Sequence, residues 1–250
     1  MKKLIIWIVL AQLSLLATAQ DAGFSADRPG VVSDPGVLPK GRLQWETGME
    51  WEFDNLSGNH AHTWAVNESL LRWGFSGFAE LMVQGAWCET FEDGRVYGGL
   101  DDLAIGAKAK LFEGWKAVPA ISLFGNVFIP GGRNSSYLPE HVGGQMGLVF
   151  QNKLTSWLAL NYEADLIWMD ESRPTVFFGL AFGFTLNDRL SLVVEEYNHN
   201  TAKGTECKVG LGLGYQVASR VQIDMGADLS LNHFTDYCCV SLGVSWQITK

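Results

Sequence analysis

The stretch Gly41–Asp54, GRLQWETGMEWEFD, alternates bulky and polar side chains with a strict period of two. Successive side chains of a β-strand point to opposite sides of a sheet, whereas a helix would spread the same charges around its whole surface. The bulky positions are Leu43, Trp45, Thr47, Met49, Trp51 and Phe53. The run is about as long as the 9–11 residues that a tilted strand needs to cross a bilayer. It therefore predicts a transmembrane β-strand whose bulky side chains face lipid, while Glu46 and Glu50 face inward.

Residues 1–19 have the pattern of a secretory signal peptide. Lys2 and Lys3 form a basic start, Leu4–Leu16 is an apolar core, and Ala17–Ala19 forms an A-x-A cleavage site. The apolar core is shorter than the roughly 20 residues of a membrane-spanning helix, which argues against an anchor. The pattern predicts export of a mature chain that begins at Gln20.

The composition narrows the class of protein. The formal net charge is −9, which argues against nucleic acid as a partner because such proteins carry a basic stripe. Yet 47% of the residues are hydrophobic and ten are tryptophan, and no later stretch is apolar for a full helical span. An exported, tryptophan-rich chain of this kind is typical of an outer-membrane β-barrel.

The chain from Gly41 onward contains about twelve strand candidates. They are Gly41–Asp54, His62–Phe75, Phe78–Cys88, Leu100–Phe112, Val118–Ile129, Val142–Asn152, Ser156–Met169, Pro174–Leu186, Leu190–Asn198, Glu206–Gln216, Arg220–Leu231 and Tyr237–Ile248. Tight connections alternate with longer polar ones such as Glu89–Gly99, as the short periplasmic turns and long outer loops of an up-and-down barrel do. The prediction is an all-β fold, a closed antiparallel transmembrane barrel of about 12 strands over residues 41–250. An even strand number would leave both ends of the barrel chain in the periplasm.

A soluble β-sandwich is the poorer alternative. Its outward faces would be polar, whereas here one side of nearly every strand candidate is apolar along its length. Open sheet edges cannot be tolerated in hydrocarbon, so a sheet with such a face has to close.

Residues 20–40 lack the alternation and predict an irregular segment, in the periplasm or folded into the barrel mouth. Within it and just beyond lie Asp27–Gly30 (DRPG) and the step Pro39–Gly41, followed later by Leu71–Gly74 and Ala79–Leu81. These short motifs resemble the MetA-pathway phenol-degradation family of bacterial outer-membrane β-barrel transporters. The resemblance implies an outer-membrane location and a transport role, and it supplies neither a substrate nor a catalytic residue.

Charged side chains occupy many of the predicted inward positions. They are Glu46, Glu50, Glu68, Arg72, Glu80, Lys108, Lys110, Glu163, Asp165, Glu195, Lys208, Asp224 and Asp228. One interpretation is a path for small solutes, including hydrophobic or aromatic ones; the other is a plugged lumen whose charges pair with each other. Eight-strand barrels fill with side chains and 16–18-strand porins hold water, so about twelve strands do not decide. The expected partners are outer-membrane lipid, a small-molecule solute and the outer-membrane assembly machinery, with no cofactor.

Two hairpins predict cross-strand ion pairs in the lumen. A turn centred on Ser76 would place Arg72 opposite Glu80, and a turn centred on Ala218 would place Lys208 opposite Asp228. Directly opposed residues have Cβ atoms about 4.5–5.5 Å apart, which allows long charged side chains to meet.

The remaining candidates for chemistry are weaker. The histidines fall in or beside predicted loops and are interpreted as surface residues, not metal ligands: His60, His62, His141, His199 and His233. The cysteines lie on strands that are not neighbours, so free or lipid-facing thiols are expected: Cys88, Cys207, Cys238 and Cys239. The glycines at 210, 212 and 214 lie within a strand and are expected to make room in the lumen. Ser230, His233 and Asp236 are close in sequence and leave an outer-membrane hydrolase as the alternative function, without a G-x-S-x-G motif to support it.

Overall fold

The computed structural model describes residues 24–54, 61–92, 94–101, 103–131, 141–169, 173–232 and 236–249. The predicted signal peptide and the histidines at positions 60 and 233 lie outside these ranges. Within them, no helix has the length and apolar character needed to span a bilayer.

The described residues form thirteen β-strands. Their bounds are β1 Leu43–Asp54, β2 Ala61–Gly74, β3 Ala79–Glu92, β4 Arg95–Leu100, β5 Leu103–Trp115, β6 Val118–Ile129, β7 Gly143–Lys153, β8 Leu158–Trp168, β9 Thr175–Thr185, β10 Leu190–Thr201, β11 Gly204–Ala218, β12 Val221–Ser230 and β13 Tyr237–Gln247.

All the pairings are antiparallel, and the first strand closes on the last. β1 pairs with β2 on one side and with β13 on the other, so the sheet has no free edge at this seam. β3 pairs with β5 over Ala79–Gln84 and with β4 over Trp87–Glu92, so β4 and β5 together occupy one strand position. The result is a closed twelve-strand barrel, which confirms the predicted fold class.

The predicted long loop Glu89–Gly99 is wrong. β3 continues to Glu92, and the chain turns back at once so that Arg95 pairs with Glu92. The sequence between them is Asp93-Gly94, and Gly94 has a φ of +76°, the conformation that tight hairpins require and glycine favours. The strand predicted at Leu100–Phe112 is accordingly two strands, the short β4 and the longer β5.

The two faces of β1 are sorted as its alternation predicts. Trp45, Met49 and Trp51 are exposed on the outside of the barrel, whereas Glu46 is buried on the inside. Trp51 stacks on Trp64 of β2 with ring centroids 5.6 Å apart, which strengthens the outer cross-strand contact. A slip of one residue would bring the glutamates into lipid, and a charged residue at the bilayer midplane costs up to about 2–4 kcal/mol. The lipid therefore fixes the register of the strand.

Closure predicts a specific behaviour on gels. Because every strand position in the barrel is hydrogen-bonded on both sides, we expect the folded protein to resist detergent until it is heated. Outer-membrane fractions run on a gel with and without boiling should therefore show a mobility shift on boiling. Recovery of the protein as a soluble periplasmic monomer without detergent would contradict the barrel.

Candidate functional site

The N-terminal segment, residues 24–40, lies against the inner wall of the barrel. Val32 and Leu38 are almost completely buried there. The segment leads into β1 through a tight step, in which the N–H of Gly41 donates to the carbonyl oxygen of Gly74 at 2.6 Å. A periplasmic position is one expectation for residues 20–40; the contacts described below are with inward-facing side chains of the wall.

Two wall glutamates accept hydrogen bonds from the backbone of the first part of the N-terminal segment. Glu46 accepts from the N–H of Asp27 at 3.1 Å and from that of Arg28 at 3.2 Å. Glu195 accepts from the N–H of Val31 at 2.8 Å and from that of Val32 at 3.0 Å. Buried peptide N–H groups need acceptors, and a carboxylate is a strong one.

Two further glutamates hold the second part of the N-terminal segment. The carboxylate of Glu163 accepts from the N–H of Ser33 at 2.6 Å, and that of Glu80 accepts from the N–H of Leu38 at 2.7 Å. The wall thus supplies to this segment the acceptors that a neighbouring strand would otherwise provide.

Arg72 is the centre of a buried charge cluster near the short turns. Its side chain is 2% exposed, and its guanidinium lies 3.0 Å from Glu46, 2.9 Å from Glu80 and 3.4 Å from Asp27. Lys108 approaches the same Asp27 carboxylate at 3.3 Å. Burial alone would raise the pKa of Asp27, but the positive charges of Arg72 and Lys108 lower it below its ordinary value.

The predicted register of both ion-pair hairpins is wrong. Arg72 pairs across the ladder with Met82, two residues away from the expected Glu80, because the turn centres on Gly77. Both side chains still point inward, so their ion pair forms along the diagonal.

The second hairpin shifts because of a bulge. Lys208 pairs with Ser230 instead of Asp228, since the ladder slips between Gln216 and Ala218. The ammonium of Lys208 lies 3.6 Å from the ring centroid of Tyr237, in a cation–π contact.

Arg28 lies among three carboxylates of the wall. Its guanidinium is 3.2 Å from Asp224, 3.4 Å from Glu68 and 3.9 Å from Glu50. Burial alone would lower the pKa of Arg28, but these carboxylates raise it, so the side chain stays charged. The carbonyl oxygen of Arg28 accepts a hydrogen bond from the amide of Gln222 at 2.8 Å.

Glycines in the wall make space for the N-terminal segment. A Cβ atom at Gly48 would lie 2.8 Å from Nη2 of Arg28, and one at Gly212 would lie 2.8 Å from Cβ of Pro29. The expectation that the glycines at 210, 212 and 214 make room in the lumen therefore has a definite occupant at the middle position. The fit shows that wall and segment are matched in shape as well as in charge.

A cavity of about 360 Å³ lies between the N-terminal segment and the wall formed by β1 to β8. One side of it is apolar, with Leu70, Met82 and Phe124 in contact with each other. The other side carries Glu50 and Glu68 together with Arg28 of the segment. Two more cavities, of about 390 and 600 Å³, open between the segment and the short turns at 187–189 and 113–116.

The other predicted inward residues also lie on the inner face. Asp165 accepts a hydrogen bond from Gln145 at 3.0 Å. Lys110 pairs with Glu113 at 2.6 Å beside a short turn. Asp228 lines a small cavity together with Arg28 and Glu195. The structure thus places all the predicted lumen charges inside the barrel, although whether they form a solute path stays a prediction.

The remaining sequence candidates do not assemble into a reactive centre among the described residues. No group of three His, Cys, Asp or Glu side chains there could hold a metal ion. His199 packs against Phe177, with ring centroids 5.1 Å apart. The four cysteines are free, with Cys88 and Cys239 buried. Ser230 is also buried, and the His233 needed by the hydrolase alternative lies outside the described residues.

Sequence reasoning missed several residues that hold the N-terminal segment. Asp27 and Arg28 stood out only as part of a family-like motif, without a role. Neutral polar residues of the wall also bind the segment: Gln44 donates to the carbonyl of Ser25, Ser122 to that of Pro35, and Gln151 to the carboxylate of Asp34. Their period-two inward positions were the available signal, but charged residues alone were taken as candidates.

Comparison with known proteins agrees with the barrel and its inner wall. The architecture is that of an outer-membrane β-barrel. Residues 26–248 match the family described as "Putative MetA-pathway of phenol degradation", so the chain belongs to that family. No curated protein matches the chain.

Three solved structures share the fold. An outer-membrane channel from Pseudomonas putida F1 is similar with a TM-score of 0.67 and 11% identity, over 86% of this chain and 98% of the channel. The KdgM porin in complex with disordered oligogalacturonate has a TM-score of 0.56 and 10% identity, over 82% and 99%. The NanC porin has a TM-score of 0.52 and 11% identity, over 82% and 100%. These likenesses confirm an outer-membrane barrel fold.

The Arg72 cluster predicts a large effect of a single substitution. We expect Arg72→Ala to lower the free energy of unfolding by about 3–5 kcal/mol, because it leaves buried carboxylates without their counter-charge. Urea unfolding in lipid vesicles, followed by the shift between folded and unfolded gel bands, would measure it. The exposed Lys153→Ala should change stability by no more than about 0.5 kcal/mol. Similar losses for the two variants would contradict the assignment of Arg72 as the centre of the cluster.

Proposed function

We propose that the protein is a passive outer-membrane channel for small solutes, closed by its own N-terminal segment in the state described. The observation that carries this proposal is the filling of the lumen. A chain segment, rather than the side chains of the wall, occupies its centre, and cavities lie on either side of that segment. A lumen that is occupied in this way can be opened without unfolding the barrel.

The nature of the contacts supports a closure that is reversible. Most of them are hydrogen bonds and ion pairs between the N-terminal segment and polar groups of the wall. Water can replace these partners when the segment moves, since a hydrogen bond to water is nearly as good as one within the protein. The apolar contacts are few, with Val32 against Phe177 and Tyr197 as the main example.

The expected solutes are small and include molecules with an apolar or aromatic part. The surface formed by Leu70, Met82 and Phe124 supports this expectation, because an apolar solute would find a matching surface there. The channel and porins with a similar fold support transport over the hydrolase alternative. Membrane insertion would involve the outer-membrane assembly machinery as a partner.

Arg28→Ala tests the proposal directly. Loss of the contacts with Asp224, Glu68 and Glu50 should favour the open state and raise the mean conductance in planar bilayers. A tenfold rise would correspond to about 1.4 kcal/mol less free energy of closure. Substitution of Arg173, an exposed arginine at the end of a long loop, by alanine should leave the conductance unchanged.

Two outcomes would contradict the proposal. The first is a wild-type protein and an Arg28→Ala variant that are both folded and both silent, which would indicate a structural barrel with a filled lumen. The second is a hydrolytic activity that is lost on Ser230→Ala, which would favour the enzyme.

A further inference from the structure

The N-terminal segment places a positive charge where the wall has built a negative site. The Arg28 guanidinium meets Asp224, Glu68 and Glu50 through single contacts of 3.2, 3.4 and 3.9 Å. Close, paired contacts would be expected if guanidinium and carboxylates were made for each other alone. The geometry instead leaves carboxylate capacity free for a second cation.

One of these carboxylates has an oxygen without a partner. The side chain of Asp224 is fully buried, and Oδ1 accepts from Nε of Arg28. Its other oxygen, Oδ2, has no hydrogen-bond partner among the residues that the structure describes. A buried polar atom without a partner is uncommon in folded proteins and calls for a ligand or ion.

The two other carboxylates face open space. The side chains of Glu50 and Glu68 are 36% and 27% exposed, and both line the cavity of about 360 Å³. This volume falls within the range of about 300–1,000 Å³ that is common for small-molecule sites. The site is therefore accessible to a solute, not only to the chain's own arginine.

The opposite side of the same cavity is apolar. Met82 and Phe124 are more than nine-tenths buried, and Leu70 packs against them. A methionine sulfur and a phenyl ring both make favourable contacts with an aromatic ligand. The cavity thus combines an anionic side with an apolar side.

We propose that this cavity is a binding site for a small organic cation with an apolar or aromatic body. The ammonium or amidinium group lies at Glu50 and Glu68, and the body lies against Leu70, Met82 and Phe124. This inference deepens the proposed channel function and rests on it for its physiological meaning. It also gives Arg28 a second role as the internal competitor of the solute.

The charge of the whole inner wall has the sign that favours such a ligand. Acidic side chains outnumber basic ones on it: Glu46, Glu50, Glu52, Glu68, Glu80, Glu163, Asp165, Glu195, Asp224 and Asp228 against Arg72, Lys108, Lys110 and Lys208. Such an excess attracts cations and repels anions over the length of the lumen. An anionic solute of the same size is therefore disfavoured.

Competition has a reciprocal consequence. The cation and Arg28 use the same carboxylates, so each weakens the binding of the other to the same degree. A bound cation therefore loosens the N-terminal segment and favours the open state.

The test uses three probes of one shape and different charge: benzylammonium, benzyl alcohol and benzoate. Their affinities are measured by titration calorimetry on the folded full-length protein in detergent micelles at pH 7, with empty micelles as the blank. We expect benzylammonium to bind about tenfold more tightly than benzoate, with benzyl alcohol between them. Equal or tighter binding of benzoate would overturn the proposal, and so would equal binding of benzyl alcohol and benzylammonium.

Two sets of variants should move the affinity in opposite directions. Glu50→Gln with Glu68→Gln should weaken benzylammonium about tenfold and leave benzyl alcohol unchanged. Arg28→Ala should tighten benzylammonium because the internal competitor is gone. Glu196→Gln is the matched control, since Glu196 follows the inward Glu195 and therefore points to the outer face. A loss in this control equal to that in the double variant, or weaker binding to Arg28→Ala, would refute the site.

Each variant is first checked for heat-modifiable gel mobility, so that loss of folding is not mistaken for loss of binding. If Glu50→Gln with Glu68→Gln does not fold, Glu50→Gln alone takes its place with the same expected direction. Because calorimetry needs no open path, cation binding without any conductance would refute the channel and keep the site. Conductance without cation preference would do the reverse.

Discussion

The peptide group's need for a hydrogen-bond partner in hydrocarbon is the constraint on which this structure depends. An unpaired N–H or C=O group costs several kcal/mol there, so a spanning sheet has to close on itself. The pairing of β1 with β13 meets that need at the seam of the barrel. The same need recurs in the lumen, where the wall has no strand to offer to residues 27–38. Glutamate side chains take over as acceptors, and four of the predicted lumen charges are explained by this task alone: Glu46, Glu80, Glu163 and Glu195.

Period-two alternation was sufficient to predict the fold and the side on which each charge lies. Lipid penalises a misplaced charge heavily, so the pattern of β1 leaves a single arrangement for Glu46 and Glu50. The opposing residue in a hairpin is a finer matter. It depends on where the turn centres and whether a bulge intervenes, and a shift of one residue in the centre moves the partner by two. This is why Arg72 and Glu80 were rightly placed on one face and wrongly placed in register.

The N-terminal segment could not be predicted in the same way. Its residues have no periodicity, because their positions are determined by contacts with eight or more distant strands rather than by a local ladder. Asp27 and Arg28 meet partners up to about 200 positions away in the sequence, such as Asp224. The only local signal was the space left by glycines on the wall, and such a signal has meaning only when the occupant is known. Cavities are likewise a result of packing, so the apolar side formed by Leu70, Met82 and Phe124 was invisible in the alternation of single strands.

The step at Gly41 gives the N-terminal segment a fixed attachment to the strand that closes the barrel. A segment that leaves the lumen therefore stays tethered at its carboxyl end, and its return is an intramolecular event. Short tethers of this kind produce effective concentrations in the millimolar range. A free solute has to compete against Arg28 at that local concentration, however scarce the protein itself is in the membrane. The occupancy of the lumen then depends on the solute concentration outside relative to the tether's effective molarity, and the length of chain between Arg28 and Gly41 becomes the quantity that determines at which concentration the solute prevails.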